Sequence, residues 1–182
     1  MAESVAEKGS EGVRSSLPKL VGALAAELAD RSTTGDVAEL RRLRTEAPGG
    51  SAFWRLVVGR LEPAGVLPDA DVPWRLDAEK RWAAILNGMA RTVGLHRPGL
   101  AVGRALAEAE VSEARVTRLL LAHEATLWDA LRVTVHHLGT KAIPFDWAEL
   151  ASLLLSDGRS DEDVVRRRVA RSYYRAVAAR AR

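Results

Sequence analysis

Seven prolines punctuate this chain, and each stands where a helix would begin or end: Pro18, Pro48, Pro63, Pro68, Pro73, Pro98 and Pro144. Proline lacks an amide hydrogen and its ring clashes with the carbonyl four residues back, so a helical chain keeps it at helix ends. Between the prolines, apolar residues recur three and four apart. No stretch alternates apolar and polar residues long enough to argue for a strand. The pattern predicts an all-α fold, a compact bundle of about eight or nine short helices with no sheet.

Taken in order, the spacing predicts a first helix over 17–30, with Leu17, Leu20, Val21, Leu24 and Leu28 on one face. A short helix over 36–46 follows, turning Val37 and Leu40 inward and Arg41, Arg42 and Arg44 outward. Ser51 is placed as the N-cap of a third helix over 52–62, which is apolar around most of its girth. Residues 63–76 form a Pro-rich connection where two sub-bundles can divide. Further helices are expected over 77–94, 100–110, 112–122 and 126–139. Asp146 is expected to cap another, Gly158 to close it, and Ser160 with Asp163 to open the last as a capping box.

The chain has 182 residues, 47% of them hydrophobic and 28% charged, a balance that suits a soluble globular domain. The first sixteen residues are small and polar and are expected to be a disordered tail, neither signal nor anchor, leaving 17–182 as the helical domain. No apolar run approaches the ~18 residues of a membrane span. The absence of cysteine excludes disulfides, thiolate metal sites and a cysteine nucleophile, and fits a cytoplasmic setting.

Enzyme signatures fail in turn. His123-Glu124 starts like a zincin helix, but Leu127 stands where the second histidine ligand belongs. His136 and His137 are adjacent and diverge on a helix, and His96 stands alone in a loop. There is no glycine-rich phosphate loop and no nucleophile elbow. The expectation is no catalytic residue, no metal and no cofactor.

Arginine carries the remaining signal. Net charge is only +3, yet the bases are 23 Arg against 4 Lys, and arginine forks onto phosphates and carboxylates where lysine acts as a point charge. Arg41 and Arg42 fall together, Arg55 follows on the next helix, and Arg104, Arg115 and Arg118 lie on the stretch 102–121. Arg115 and Arg118, three apart, flank the aliphatic face of Val116, Leu119 and Leu120. Arg132 stands four residues after Trp128, and Lys141 lies in the loop beyond. Spacing leaves two readings open: solvated helix faces with pairs such as Arg104 to Glu108, or a track for a polyanion. The C-terminal cations from Arg166 to Arg175 read first as helix-end stabilisers. The five tryptophans fall mostly at inward positions, which favours phosphate contact over base stacking.

Several segments in this order carry a resemblance: Ala38-Glu39-Leu40-Arg41-Arg42, Ser51-Ala52-Phe53-Trp54-Arg55-Leu56-Val57, Gly103-Arg104-Ala105-Leu106, Ser112 to Leu120, Phe145-Asp146-Trp147-Ala148-Glu149-Leu150, and Ala170-Arg171-Ser172-Tyr173-Tyr174. Over roughly residues 36 to 175 the chain resembles the CasB family, the small subunit of the type I-E CRISPR Cascade surveillance complex. The resemblance implies a non-enzymatic, all-α subunit present in two copies. It would sit against the guide RNA, the target DNA and the backbone and large subunits, and help hold the opened DNA in antiviral defence. The family's basic positions fall on Arg41 or Arg42, Arg55, Arg104, Arg115 and Arg132, with Arg118 and Lys141 carried over in less similar surroundings.

The leading expectation is therefore a Cascade subunit that grips nucleic-acid backbone without reading sequence and stabilises the R-loop. The rival is a helical scaffold whose arginines meet acidic protein surfaces. A helical DNA-binding regulator ranks last, because the 112–122 helix offers Thr117 but no Asn or Gln to read bases.

Overall fold

Apolar residues three and four apart cannot all face solvent, and in the computed structural model they bury on helix after helix. The structure describes residues 3–180, with side chains described from Ser16 onward; the side chains of the tail expected over 1–16 lie, but for Ser16, outside them. Nine α-helices run through the described residues: α1 (Glu3–Ala29), α2 (Thr34–Arg41), α3 (Ser51–Leu56), α4 (Arg75–Arg91), α5 (Val102–Glu108), α6 (Glu113–Leu121), α7 (Glu124–Thr140), α8 (Trp147–Ser156) and α9 (Glu162–Arg180). Among the described residues the only β-type pairing is a single bridge between His96 and Phe145. Pro18, expected at the head of the first helix, stands inside α1. The chain divides into two units, 1–87 and 88–182, within α4 and beyond the 63–76 connection.

In the first unit, Leu17, Leu20, Val21, Leu24 and Leu28 of α1 are buried, as are Val37 and Leu40 of α2. The third helix differs from its expected form. Gly50, at φ 92°, holds the N-cap position rather than Ser51. Glu39 of α2 does the capping instead: Ala52 N–H donates to its Oε1 at 3.0 Å and the Ser51 hydroxyl to its Oε2 at 3.0 Å. These bonds hold the Glu39 carboxyl below its usual pKa, the Ala52 amide most of all. After Leu56 the helix loosens into a π-helical turn, Val57–Leu61.

The connection at 63–76 is pinned by the buried guanidinium of Arg75. Its Nε donates to Glu79 Oε1 at 2.6 Å, its Nη1 to the Pro68 carbonyl at 2.6 Å, and its Nη2 to Glu62 Oε1 at 2.6 Å. A buried charge persists only when it is paired and hydrogen-bonded, and two carboxylates and a carbonyl supply that here.

In the second unit, α5 and α9 pack closely because Gly103 carries no side chain. A methyl group built on Gly103 would lie 2.5 Å from the Tyr173 amide nitrogen and closer still to the Val169 carbonyl oxygen. Tyr173 turns its hydroxyl to the Val111 carbonyl at 2.7 Å. Gly88 similarly leaves room for the ring of Trp147, whose Nε1 donates to Thr92 Oγ1 at 2.9 Å. Asp146 caps α8 through Ala148 N–H at 2.8 Å, and Gly158 follows its end at φ 76°.

Helix α7 starts at Glu124 rather than Thr126, because Asp157 accepts the Glu124 amide at 2.8 Å. Asp157 belongs to a buried cluster centred on Arg166. The guanidinium lies 3.0 Å from Asp157 Oδ1 and 2.7 Å from Glu162 Oε1, and donates to the carbonyls of Leu120 and Ala122 at the end of α6. His123 Nδ1 completes the cluster, 2.9 Å from Asp157 Oδ1. The ligand atoms of His123, Asp157 and Glu162 lie within 4.8 Å of one another, a spacing a metal ion could bridge. Arg166 already supplies the cation.

Candidate nucleic-acid interface

The eight basic residues singled out by sequence divide between the units, and each unit places its own. In the first, Arg41 closes α2 and Arg42 is its C-cap, both exposed. Their position is set from below: buried Asn87 donates from Nδ2 to the carbonyls of Leu40 at 2.9 Å and Arg41 at 3.1 Å, satisfying groups the helix end leaves open. Arg55 on α3 is exposed and pairs with Asp36 of α2.

In the second unit, Arg104 follows the Gly103 close approach, and its amide donates to Ser172 Oγ at 2.9 Å. Its side chain is exposed and reaches Glu108 Oε1 at 2.7 Å, the i,i+4 pair read from spacing. Arg132 lies 3.5 Å from Asp129, with both side chains exposed, and it forms no ring contact with Trp128 among the described residues. Lys141 Nζ donates to Glu110 Oε2 at 2.9 Å and holds that carboxyl below its usual range.

Arg115 and Arg118 are different. Val116 and Leu119 of α6 are buried, at 2% and 1% exposure, and Leu120 is half-buried. Burying each is worth ~1.5–3 kcal/mol, which fixes the roll of the helix and leaves both arginines outward. Tyr174 O–H donates to Glu113 Oε1 at 2.7 Å, and the Arg166 cluster holds the other end of α6. Both arginines line one cleft of about 520 Å³ between α6 and α7, shared with Val111, Leu121, Ala130, Val133 and His137. Among the described residues neither has an ion-pair partner. Of the eight, these two are brought together on one wall without an ion pair among the described residues, in a cleft that Asp129 also lines.

A family model described as CRISPR-associated protein Cse2 matches residues 36–174. The chain belongs to the Cse2 family. The match runs from the start of α2 to Tyr174 of α9, so it takes in all eight basic positions. Among solved structures, a crystal structure of CasB from Thermobifida fusca aligns with this chain at a TM-score of 0.61 and 20% identity. The alignment covers 89% of this chain and 97% of that one, a likeness of fold. No curated protein sequence matches significantly.

Two expectations about this Cse2 chain need correction. The tryptophans are not mostly inward: Trp82 and Trp147 are buried, but Trp54 and Trp74 are 44% and 63% exposed. Trp54 follows buried Phe53 and so lies about 100° around the helix from it, while Trp74 precedes α4 and takes no part in its buried face. The C-terminal cations are not uniform either. Arg166 is buried at the core of a polar cluster, whereas Arg167, Arg168, Arg171 and Arg175 on the same helix are exposed. The cleft itself had one sequence sign: Leu121 ends an unbroken Leu119-Leu120-Leu121 run, so one of the three had to leave the buried face.

Proposed function

We propose that this chain is the non-catalytic small subunit of a type I-E Cascade complex, holding nucleic-acid backbone without sequence readout and stabilising the R-loop. Membership of the Cse2 family makes it CRISPR-associated and supports a subunit role in Cascade. The observation that carries the nucleic-acid part is that Arg115 and Arg118 stand on one exposed wall with no ion pair among the described residues. Arg104, Arg132 and Lys141 in the same unit, and Arg41, Arg42 and Arg55 in the other, are the further contacts proposed. Guanidinium groups fork onto phosphate oxygens, and their strength toward phosphate does not depend on the base. Exchange of a DNA duplex for a guide heteroduplex is close to balanced, so a modest grip on one strand shifts it. Guide RNA, target DNA, the backbone and large subunits and a second copy are the partners proposed, in the cytoplasm.

The test is R-loop lifetime in an assembled complex carrying either the natural chain or Arg104→Glu/Arg115→Glu. Shortened lifetime with unchanged assembly supports the reading; equal lifetimes refute it. A protein-binding scaffold is the second reading, and the apolar lining of the α6–α7 cleft favours it. An apolar wall beside cations suits an acidic protein segment as well as a nucleic-acid strand.

A further inference from the structure

The two exposed tryptophans of the first unit stand in opposite electrostatic surroundings. Trp54 of α3 belongs to residues 41–60, which carry five arginines against one acid. Trp74 belongs to residues 61–79, which carry five acids against one arginine. Trp54 is 44% exposed and Trp74 63%. Neither indole N–H has an acceptor among the described residues, whereas buried Trp147 donates to Thr92 Oγ1 at 2.9 Å and buried Trp82 to the Val66 carbonyl at 3.4 Å.

Trp54 is not a loose ring. Its amide donates to the Gly50 carbonyl at 3.2 Å, and Glu39 of α2 caps the helix that carries it. The ring meets buried Phe53 edge-on, with centroids 5.2 Å apart. Val58, four residues on and 62% exposed, extends the open apolar strip into the π-helical turn. A single surface tryptophan needs no explanation; a ring held in place on an apolar strip among cations does. Arg55 and Arg60 pair with Asp36 and Glu27, and both arginines are exposed, so a phosphate can take the carboxylate's place with little loss. Helix α2, which packs against α3, ends in Arg41 with Arg42 as its cap, both exposed.

We propose that Trp54 stacks on an unpaired base of a single strand whose flanking phosphates lie against Arg55, Arg41 and Arg42. This assignment rests on the nucleic-acid reading and adds to it the state of the strand, which must be opened for a base to reach the ring. Every base has a π-face, so stacking is sequence-tolerant and needs no readout of base edges. In a duplex the base faces are already stacked on one another, and Trp54 contributes nothing. The duplex carries more phosphate charge per unit length instead, so the two forms bind the natural chain comparably for different reasons. Trp74 is excluded from the same role by its neighbours. Asp69 and Asp71 are exposed and without an ion pair among the described residues, and they repel a phosphate chain.

Fluorescence anisotropy of the full chain at low salt tests it with three labelled probes of equal length. They are a mixed-sequence single strand, an abasic strand with the same phosphates and no bases, and a duplex. The natural chain is expected to bind the single strand more tightly than the abasic one. Trp54→Ala should weaken single-strand binding about tenfold and leave the abasic strand and the duplex within about twofold. Trp54→Phe keeps a ring and should retain most of the affinity, and Trp74→Ala should bind all three probes as the natural chain does. An equal loss on all three probes by Trp54→Ala overturns the proposal, because it shows Trp54 acting through the fold alone. A single strand bound no more tightly than the abasic one overturns it too, as does a Trp54→Ala chain that loses nothing on the single strand. In those cases the phosphate grip stands, whereas a natural chain that binds none of the probes removes the nucleic-acid reading itself.

Discussion

Gly103 of α5 lies so close to Tyr173 of α9 that a methyl group on it would sit 2.5 Å from the Tyr173 amide nitrogen. The obstacle is backbone, which cannot swing aside as a side-chain tip can. Gly103→Ala must therefore push α5 away from α9, loosening the Arg104 amide from Ser172 and the Tyr173 hydroxyl from Val111. Overpacking of this kind costs ~1–3 kcal/mol, read as a lower Tm. Gly35 of α2 has nothing within 4 Å of the same built position, and Gly35→Ala should be neutral or stabilising by up to ~1 kcal/mol. Equal Tm losses at both sites would contradict the close approach.

Arg166 and Arg167 are neighbours with opposite fates. Arg166→Met leaves Asp157 and Glu162, both facing the buried guanidinium, without their cation. Removing one partner of a buried charge set costs ~3–5 kcal/mol. Arg167 is exposed and, among the described residues, pairs with exposed Asp163 at 3.4 Å, so Arg167→Met should fall within ~0.5 kcal/mol of the natural chain. Urea unfolding of the two variants measures the contrast.

His96 makes stability depend on pH. Its ring is buried, and burial pushes its pKa below the ordinary value, with Asp146 acting in the other direction and Arg97 reinforcing the drop. Trp147 N–H donates to Nδ1 at 3.2 Å, which requires that nitrogen unprotonated. Because the folded-state pKa lies below the unfolded value of about 6.5, the neutral ring's contribution is present above that pH. It is lost as pH falls through the folded-state value. The Tm of the natural chain should therefore drop more between pH 7.5 and acid pH than that of His96→Gln, with pH bracketing about 6.5. Parallel Tm curves would contradict this.

Glu108 and Glu110 restrain two of the proposed phosphate contacts, Arg104 and Lys141. Exposed pairs contribute little to stability, so neutralising the acids should leave folding intact and release the cations. Glu108→Gln/Glu110→Gln should tighten binding of a mixed-sequence oligonucleotide up to about fivefold at low salt. Weaker binding by this variant would place Arg104 and Lys141 outside the interface.

Much of the fold was legible because its determinants are local. Six of the seven prolines fall outside helices, and the period-3.6 pattern alone placed Val116 and Leu119 inward and Arg115 and Arg118 outward. The Arg104–Glu108 pair was legible for the same reason, being one helical turn apart. Lys141–Glu110, 31 residues apart, was not. Glu39 capping α3 was hidden because the cap comes from another helix, so Ser51 looked like the natural candidate. Arg166 was hidden among the C-terminal arginines, since its partners Asp157, Leu120 and Ala122 are joined to it only by the packing of α6, α8 and α9. Trp54 and Trp74 misled because a large ring is ordinarily stabilised most by burial.

If Arg115 and Arg118 hold phosphates, a salt titration of oligonucleotide binding by the isolated chain will show it. Single- and double-stranded probes of unrelated sequence should bind with similar affinity, weakening steeply with salt. Arg115→Glu/Arg118→Glu should bind more weakly at every salt concentration and flatten the log–log slope by about 0.7–0.9 for each phosphate that the variant no longer neutralises. A double variant that binds like the natural chain at low salt, with the same slope, would show that these two arginines hold no phosphate.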